Sequence, residues 1–162
     1  MLIGITGDTH NNLRNISKIC EIFNQFEPSL VFHTGDITLP KALKTFSNLK
    51  MPLVGVFGNN DLEEKNDLLK ESKKHKFKFY DEPYFFKKDN FKIAILHHPD
   101  LINEEMTNDM DFIFHGHTHR YRSEIINNAL VFNPGECAGF IKGKNNIGFV
   151  DTKKKESKII SF

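Results

Sequence analysis

The sequence predicts an α/β protein in which two packed β-sheets lie between outer helices. The first half of the chain alternates short apolar runs with segments of helical periodicity, a pattern typical of parallel strands joined by helices. After Lys76 the chain has many short apolar runs and few helical segments, which indicates a second sheet stacked on the first. Because we find no internal repeat, low-complexity linker or domain boundary, residues 1–162 are expected to form a single domain.

The first half contains three predicted strands, each followed by a predicted helix. The strands cover residues 1–6, 29–33 and 52–57, and the helices cover residues 13–26, 40–49 and 62–74. Asn11 or Asn12 is a candidate cap of the first helix, and Glu27-Pro28 ends it. Pro40 suits the first turn of the second helix.

The second half is predicted to be mainly β-structure. A short helix is expected at residues 101–106. Strands are expected at residues 77–80, 84–87, 91–96, 111–115, 121–126, 130–133, 145–151 and 158–162.

Composition excludes several classes of function. A formal net charge of +1 argues against electrostatic binding of long nucleic acids or anionic membranes, and the lysine-rich stretches 70–78 and 153–158 are expected to be solvated surface. The chain begins without a targeting pattern and has no apolar stretch of transmembrane length. Two distant cysteines, Cys20 and Cys137, form neither a disulfide framework nor a thiolate site, which favours a reducing cytoplasm.

Seven potential metal ligands occur in five clusters, and each cluster directly follows a predicted strand. They are Asp8, His10, Asp36, Asn59, His97, His117 and His119. Ligands of open α/β sheets gather at the carboxyl ends of strands, and oxygen and imidazole ligands held there meet the needs of a two-metal hydrolytic site.

The first three clusters are weak signals when each is considered alone. Asp8 and His10 are two residues apart, so in an extended chain both side chains point the same way. Asp36 has two oxygens with which to bridge two cations, and Asn59 offers an amide oxygen. A turn or a helix cap would explain each cluster at least as well as a metal site, and for Asp36 alone a helix cap is the stronger interpretation. Asp61 is well placed to cap the next helix.

The fourth cluster is His97-His98-Pro99. Adjacent residues of a strand point in opposite directions, so at most one of the two histidines is expected to face a given site. Pro99 imposes an extended backbone on His98.

The most specific cluster places three histidines at alternating positions, His115, His117 and His119, after an apolar run. This spacing is hard to explain as core or as solvent-exposed surface, and imidazole is the commonest protein metal ligand. His115, like His33 elsewhere, lies beside predicted ligands and is expected to support or pack against them.

Together these motifs resemble those of the calcineurin-like metallophosphoesterase superfamily, whose blocks D-x-H, G-D, G-N-x-D/H, a strand-ending His and G-H-x-H all occur here in order. The short chain and Asn133-Pro134-Gly135 are similar to the small bacterial and archaeal phosphodiesterase branch, which has a Vps29-like fold. The resemblance implies a four-layer α-β-β-α sandwich of two mixed sheets flanked by helices.

The resemblance also implies the ligand sets and the reaction. One divalent ion would be held by Asp8, His10, Asp36 and His119, and the other by Asp36, Asn59, His97 and His117. With Asp36 bridging, a hydroxide between the ions would attack the phosphorus of a small phosphodiester. His97 rather than His98 is assigned as ligand because the family's ligand directly ends the strand. Two divalent ions, two carboxylates and a hydroxide leave a charge of about +1, which suits an incoming phosphate.

The sequence departs from the family pattern in two places. Asn60 stands where many relatives have a histidine that contacts substrate, so the usual proton donor is missing and His98 is a candidate substitute. We therefore expect activated aryl diesters to be hydrolysed faster than alkyl esters. Glu136 stands where the family often has a serine, and it would repel a phosphate, bind a cation or pair with a lysine.

Several alternatives remain open from the sequence. The ligand set suits Mn²⁺, Fe²⁺, Zn²⁺ or Ni²⁺, and the resemblance favours Mn²⁺. A catalytically weak Vps29-like scaffold and a phosphomonoesterase with the same metal centre are the competing functions. All seven ligands are retained, which favours an enzyme. A homo-oligomer is one further alternative.

Overall fold

Eleven β-strands and four α-helices form the fold in a computed structural model that describes all 162 residues. The strands are β1 Leu2–Thr6, β2 Leu30–His33, β3 Leu53–Val56, β4 Lys78–Tyr80, β5 Tyr84–Lys88, β6 Phe91–Ile95, β7 Phe112–Phe114, β8 Arg122–Ile126, β9 Ala129–Asn133, β10 Asn146–Asp151 and β11 Glu156–Ser161. The helices are α1 Leu13–Phe26, α2 Pro40–Thr45, α3 Lys65–Lys74 and α4 Glu104–Asp109.

The strands form two mixed sheets, as predicted. The six-stranded sheet has the order β11-β10-β1-β2-β3-β4, and β1 to β4 run parallel. The five-stranded sheet has the order β5-β6-β7-β9-β8, and β6, β7 and β9 run parallel. Parallel strands of one sheet end at the same edge, so the loops that follow them converge.

The main core lies between the two sheets. Alternate residues of β1, Ile3 and Ile5, face it from the six-stranded sheet, and Phe112 and Phe114 of β7 face it from the other. Helices α1 to α3 cover the outer face of the six-stranded sheet, while α4 covers the five-stranded sheet through Met106. The predicted four-layer α-β-β-α sandwich is confirmed. No helix combines the length and the apolar character needed to cross a membrane.

The helices differ from the sequence prediction mainly at their ends. Asn12 caps α1, since its side chain accepts a hydrogen bond from the N–H of Asn15. Helix α2 stops at Thr45 and continues as a 3-10 turn over Phe46–Asn48, and α4 begins three residues later than expected.

The prediction that Asp61 caps α3 is wrong. Asp61 is buried, and α3 begins at Lys65. The Asp61 carboxylate accepts hydrogen bonds from the N–H groups of Asp36, Ile37, Thr38 and Gly58 at 2.6–2.9 Å. The loop after β2 contains residues in the left-handed conformation, so its N–H groups have no strand partner and require a buried acceptor.

Candidate metal centre

All seven predicted ligands meet at one edge of the sandwich. They lie on the loops that follow β1, β2 and β3 of the six-stranded sheet and β6 and β7 of the five-stranded sheet. Five of the seven have a left-handed backbone, with φ between 45° and 68°. These five are Asp8, His10, Asp36, His117 and His119. A left-handed residue turns the chain sharply, so a side chain that directly follows a strand can point back over the strand end.

One group of ligand atoms belongs to Asp8, His10 and His119, which lie within 4.8 Å of one another. The Nε2 atom of His119 is 3.6 Å from Oδ1 of Asp8. The Nε2 atom of His10 is buried without a hydrogen-bond partner, and it lies 3.9 Å from Oδ2 of Asp36. A buried imidazole nitrogen without a partner is costly unless it binds a cation.

A second group is formed by His97, Asn59 and His117. Nδ1 of His97 donates to the carbonyl oxygen of Thr34 at 2.9 Å, so Nε2 of the neutral ring carries a lone pair. This nitrogen lies 3.0 Å from Oδ1 of Asn59 and 3.3 Å from Nδ1 of His117. Nδ1 of His117 is also 3.2 Å from the Asn59 oxygen. Lone pairs therefore converge here, as a cation site requires.

Asp36 lies between the two groups. Its Oδ2 atom is 3.5 Å from Nε2 of His97 and 3.9 Å from Nε2 of His10. Asn60 donates to both Asp36 oxygens, from its backbone N–H at 2.9 Å and from its side chain at 2.7 Å. A Cβ atom on Gly58 would lie 2.2 Å from Oδ1 of Asp36, so only glycine allows the carboxylate this close to the next loop.

Both adjacent histidines face the site, contrary to the prediction that at most one would. The ring nitrogens of His97, His98 and His117 lie within 4.8 Å of one another. Strand β6 ends at Ile95, so the alternation of a strand no longer governs these two residues. Glu82 fixes the turn instead, because its Oε2 accepts from the N–H groups of His97 and His98, and its Oε1 contacts Nδ1 of His98 at 2.6 Å.

Glu136 contacts neither a lysine nor open solvent. It is 3% exposed, and its Oε2 atom accepts a hydrogen bond from Nδ1 of His119. Its Oε1 atom accepts from the N–H of Phe140 at 2.9 Å. The carboxylate thereby leaves Nε2 of His119 as the lone-pair nitrogen that faces Asp8.

The electrostatics of this edge fit a divalent cation. Burial raises the pKa of Asp8 to about 7, although nearby His119 opposes the shift. Burial also lowers the pKa values of His10 and His97, which keeps both imidazoles neutral with free lone pairs. The ion-pair partners of Asp8, Asp36 and Glu136 within 4.0 Å are all histidines, with no lysine or arginine. Buried carboxylates without a cationic side chain are stabilised by a metal ion.

His33 and His115 lie beside the ligands, as expected. His33 accepts from the N–H of Gly35 at 3.2 Å, and its Nε2 atom contacts Thr9 at 3.0 Å. Burial lowers the pKa of His33 to about 3. Glu82 was not predicted from the sequence, because its contacts with the histidine cluster depend on the pairing of β5 with β6.

A profile of the calcineurin-like phosphoesterase superfamily domain matches residues 1–155. The chain therefore belongs to the calcineurin-like phosphoesterase superfamily and is a metal-dependent phosphoesterase.

The chain is similar to one relative in sequence and to several solved structures over its whole length. Phosphodiesterase MJ0936 of Methanocaldococcus jannaschii is 37% identical over 161 residues, which cover 96% of each chain. The solved structure of an archaeal phosphodiesterase superposes with a TM-score of 0.89 at 36% identity, over the full length of both chains. YfcE, a phosphoesterase of E. coli, shares the fold at 19% identity with a TM-score of 0.74, covering 99% of both chains. Vps29 of Entamoeba histolytica shares it at 18% identity with a TM-score of 0.68, over 100% of this chain and 99% of Vps29.

Proposed function

We propose that this protein is a phosphodiesterase that hydrolyses small phosphodiesters with two divalent metal ions. The observation that carries the proposal is the position of Asp36, whose Oδ2 atom lies between the lone-pair nitrogens of His10 and His97. A carboxylate oxygen in this position suits a bridge between two cations. The relative named a phosphodiesterase, at 37% identity, supports the substrate class.

The two ligand groups of the centre correspond to two ions. Asp8, His10, Asp36 and His119 would hold one, and Asp36, Asn59, His97 and His117 would hold the other. Two bound ions would lower the pKa of the attacking water and offset the negative charge that develops on the phosphoryl oxygens. Mixed carboxylate, amide and imidazole ligands suit Mn²⁺, which we propose as the native ion.

The residues around the ligands fix their orientation. Asn60 holds Asp36 with two donors, so its role is to position a carboxylate rather than to supply a proton. The Thr34 carbonyl holds His97. Glu82 holds His98 beside the His117 ring, at 4.4 Å between ring centroids, which suits His98 as proton donor to the leaving group.

We further propose that residues 1–162 act as a single domain in the reducing environment of the cytoplasm. Cys20 and Cys137 are free, buried thiols, which suits that compartment.

The proposal is tested with protein stripped of metal by a chelator. We expect calorimetric titration with Mn²⁺ to give two ions per chain, and the reloaded enzyme to hydrolyse aryl phosphodiesters faster than monoesters with the same leaving group. Ni²⁺ and Zn²⁺ serve as alternative ions. A stoichiometry of one ion would contradict the two-ion centre. No hydrolysis of diesters with any of the three ions would contradict the proposed activity and favour a scaffold function.

A further inference from the structure

Phe140 is a large apolar side chain that stands exposed beside the metal centre. It lies in the loop between β9 and β10, and 70% of its surface is accessible to solvent. Its ring centroid is 5.3 Å from that of His10 and 5.5 Å from that of His119, to which it is nearly parallel at 23°. The Phe140 ring therefore packs on the two predicted ligands with little of its surface and leaves most of it open.

Several hydrogen bonds hold the loop that carries this ring. Glu136 accepts from the N–H of Phe140 with one oxygen and from His119 with the other. Two side chains at the start of α1 bind the preceding backbone, since Asn12 donates to the carbonyl of Ala138 and Asn15 to that of Cys137, both at 2.8 Å. These hydrogen bonds thus fix the position of the Phe140 ring relative to the predicted ligand His119.

A fixed aromatic ring with an open face indicates a binding partner. Exposure of a phenyl group costs hydrophobic free energy, and an aromatic face favours stacking on another flat ring. A phosphate at the metal ions would lie next to His10 and His119, and the Phe140 ring packs on both of these histidines, so an ester group of that phosphate would have the ring within reach.

We propose that Phe140 forms an apolar subsite that stacks on an aromatic group esterified to the substrate phosphate. This inference rests on the proposed function, and it narrows the substrate to diesters that carry a nucleobase or a simple aryl group.

The subsite is tested with three diesters that share p-nitrophenol as leaving group and retain a methyl, a phenyl or a thymidine group. Intrinsic reactivity cancels when each variant is compared with the wild type on the same substrate. We expect Phe140→Leu to lower kcat/KM on the phenyl and thymidine diesters by on the order of tenfold relative to the methyl diester. Phe140→Tyr should retain the wild-type values. Ile141→Ala is the matched control, because Ile141 is 55% exposed in the same loop.

The pattern of losses identifies the aromatic group. A loss on the thymidine diester assigns the subsite to a nucleobase, and a loss on the phenyl diester alone assigns it to a simple aryl group. Equal effects on all three substrates would overturn the proposal and leave Phe140 as a cover for the histidines.

A binding measurement separates this inference from the proposed function. Calorimetry with the Mn²⁺-loaded protein compares phenyl phosphate with cyclohexyl phosphate, and thymidine 5′-monophosphate with deoxyribose 5-phosphate. We expect the aromatic member of at least one pair to bind on the order of tenfold more tightly, and Phe140→Leu to remove that preference. Failure of the enzyme to hydrolyse diesters would contradict the proposed function alone, whereas equal affinities within both pairs would overturn the aromatic subsite.

Discussion

The buried carboxylate of Glu136 accepts a hydrogen bond from Nδ1 of His119 and so directs the other ring nitrogen toward Asp8. A carboxylate behind a metal-binding histidine fixes the tautomer and raises the basicity of the ring. In the proposed metal centre, Glu136 would orient His119 without itself being a ligand.

Loss of Glu136 should therefore weaken metal binding. We expect Glu136→Ala to lower the affinity for Mn²⁺ by about 10–100-fold, as measured by calorimetry, with Glu136→Gln between Ala and the wild type. Glu124→Gln is the control, since Glu124 pairs with Arg122 on β8 and contacts none of the predicted ligands. Unchanged affinity in both Glu136 variants would show that His119 needs no support.

Asp36→Asn should abolish the pairing of the two ions together with turnover. The amide has a single acceptor oxygen and no charge, so we expect fewer than two Mn²⁺ per chain and a loss of kcat on the order of 10³-fold. Thermal melting in chelator controls for folding, and Asp100→Asn, at an exposed position, should behave like the wild type. Full activity with two bound ions would remove Asp36 from its bridging role.

Substitution of His97 should remove a bound ion, whereas substitution of His98 should remove the proton donor to the leaving group. We expect His97→Ala to lose a bound ion, since Nε2 of His97 carries a lone pair and lies beside Oδ1 of the predicted ligand Asn59. His98→Gln should keep both ions and lose about 10²-fold in kcat on alkyl esters but little on p-nitrophenyl esters, which need no proton at the leaving group. The same loss on both kinds of ester would rule out His98 as proton donor.

Asp61 should contribute to stability rather than to catalysis directly. Its carboxylate accepts hydrogen bonds from four backbone N–H groups, two at each oxygen. An amide at this position would place its NH₂ group, a donor, against two of these backbone donors. We expect Asp61→Asn to lower the free energy of unfolding by about 3 kcal/mol in urea titrations of metal-free protein. Asp67→Asn, which breaks an exposed pair with Lys70, should leave the free energy of unfolding nearly unchanged. Similar losses in the two variants would contradict this role.

Acid should destabilise the metal-free protein partly through His33. Because burial lowers the pKa of His33 from 6.5 in the unfolded chain to about 3, the unfolded state binds the extra proton between these values. The contribution of His33 to stability is therefore complete above pH 6.5 and falls as the pH decreases, with a slope of about 1.4 kcal/mol per pH unit between the two pKa values. His33→Asn retains an acceptor for the N–H of Gly35, and we expect it to reduce the slope by that amount. If the slope of the free energy of unfolding between pH 6.5 and 4 is unchanged in urea titrations of this variant, groups other than His33 cause the acid destabilisation.

Most of the fold was predictable because its signals are local. Apolar runs located every strand to within two residues, and Asn12 and Pro40 marked the starts of α1 and α2. The convergence of Asp8, Asp36 and Asn59 followed from a general property of parallel strands, whose carboxyl ends share one edge.

The parts that sequence could not predict depend on contacts between distant segments. Glu82 binds residues 15 and 16 positions away, and Glu136 binds a histidine from another loop. Asp61 looked like a helix cap because that role is local, whereas three of its four partners lie 23–25 residues earlier. The expectation that adjacent residues point in opposite directions was wrong for His97 and His98, because strand β6 had already ended at Ile95.

The left-handed backbones at the sheet edge have a consequence for how such a protein changes over time. A residue with a side chain costs about 1–2 kcal/mol in this conformation, and five of them crowd one edge. A lineage released from the need to bind metal would gain stability by replacing them. Recovery of metal binding would then require several residues with a left-handed backbone to reappear together, so catalysis on this fold is lost easily and regained with difficulty.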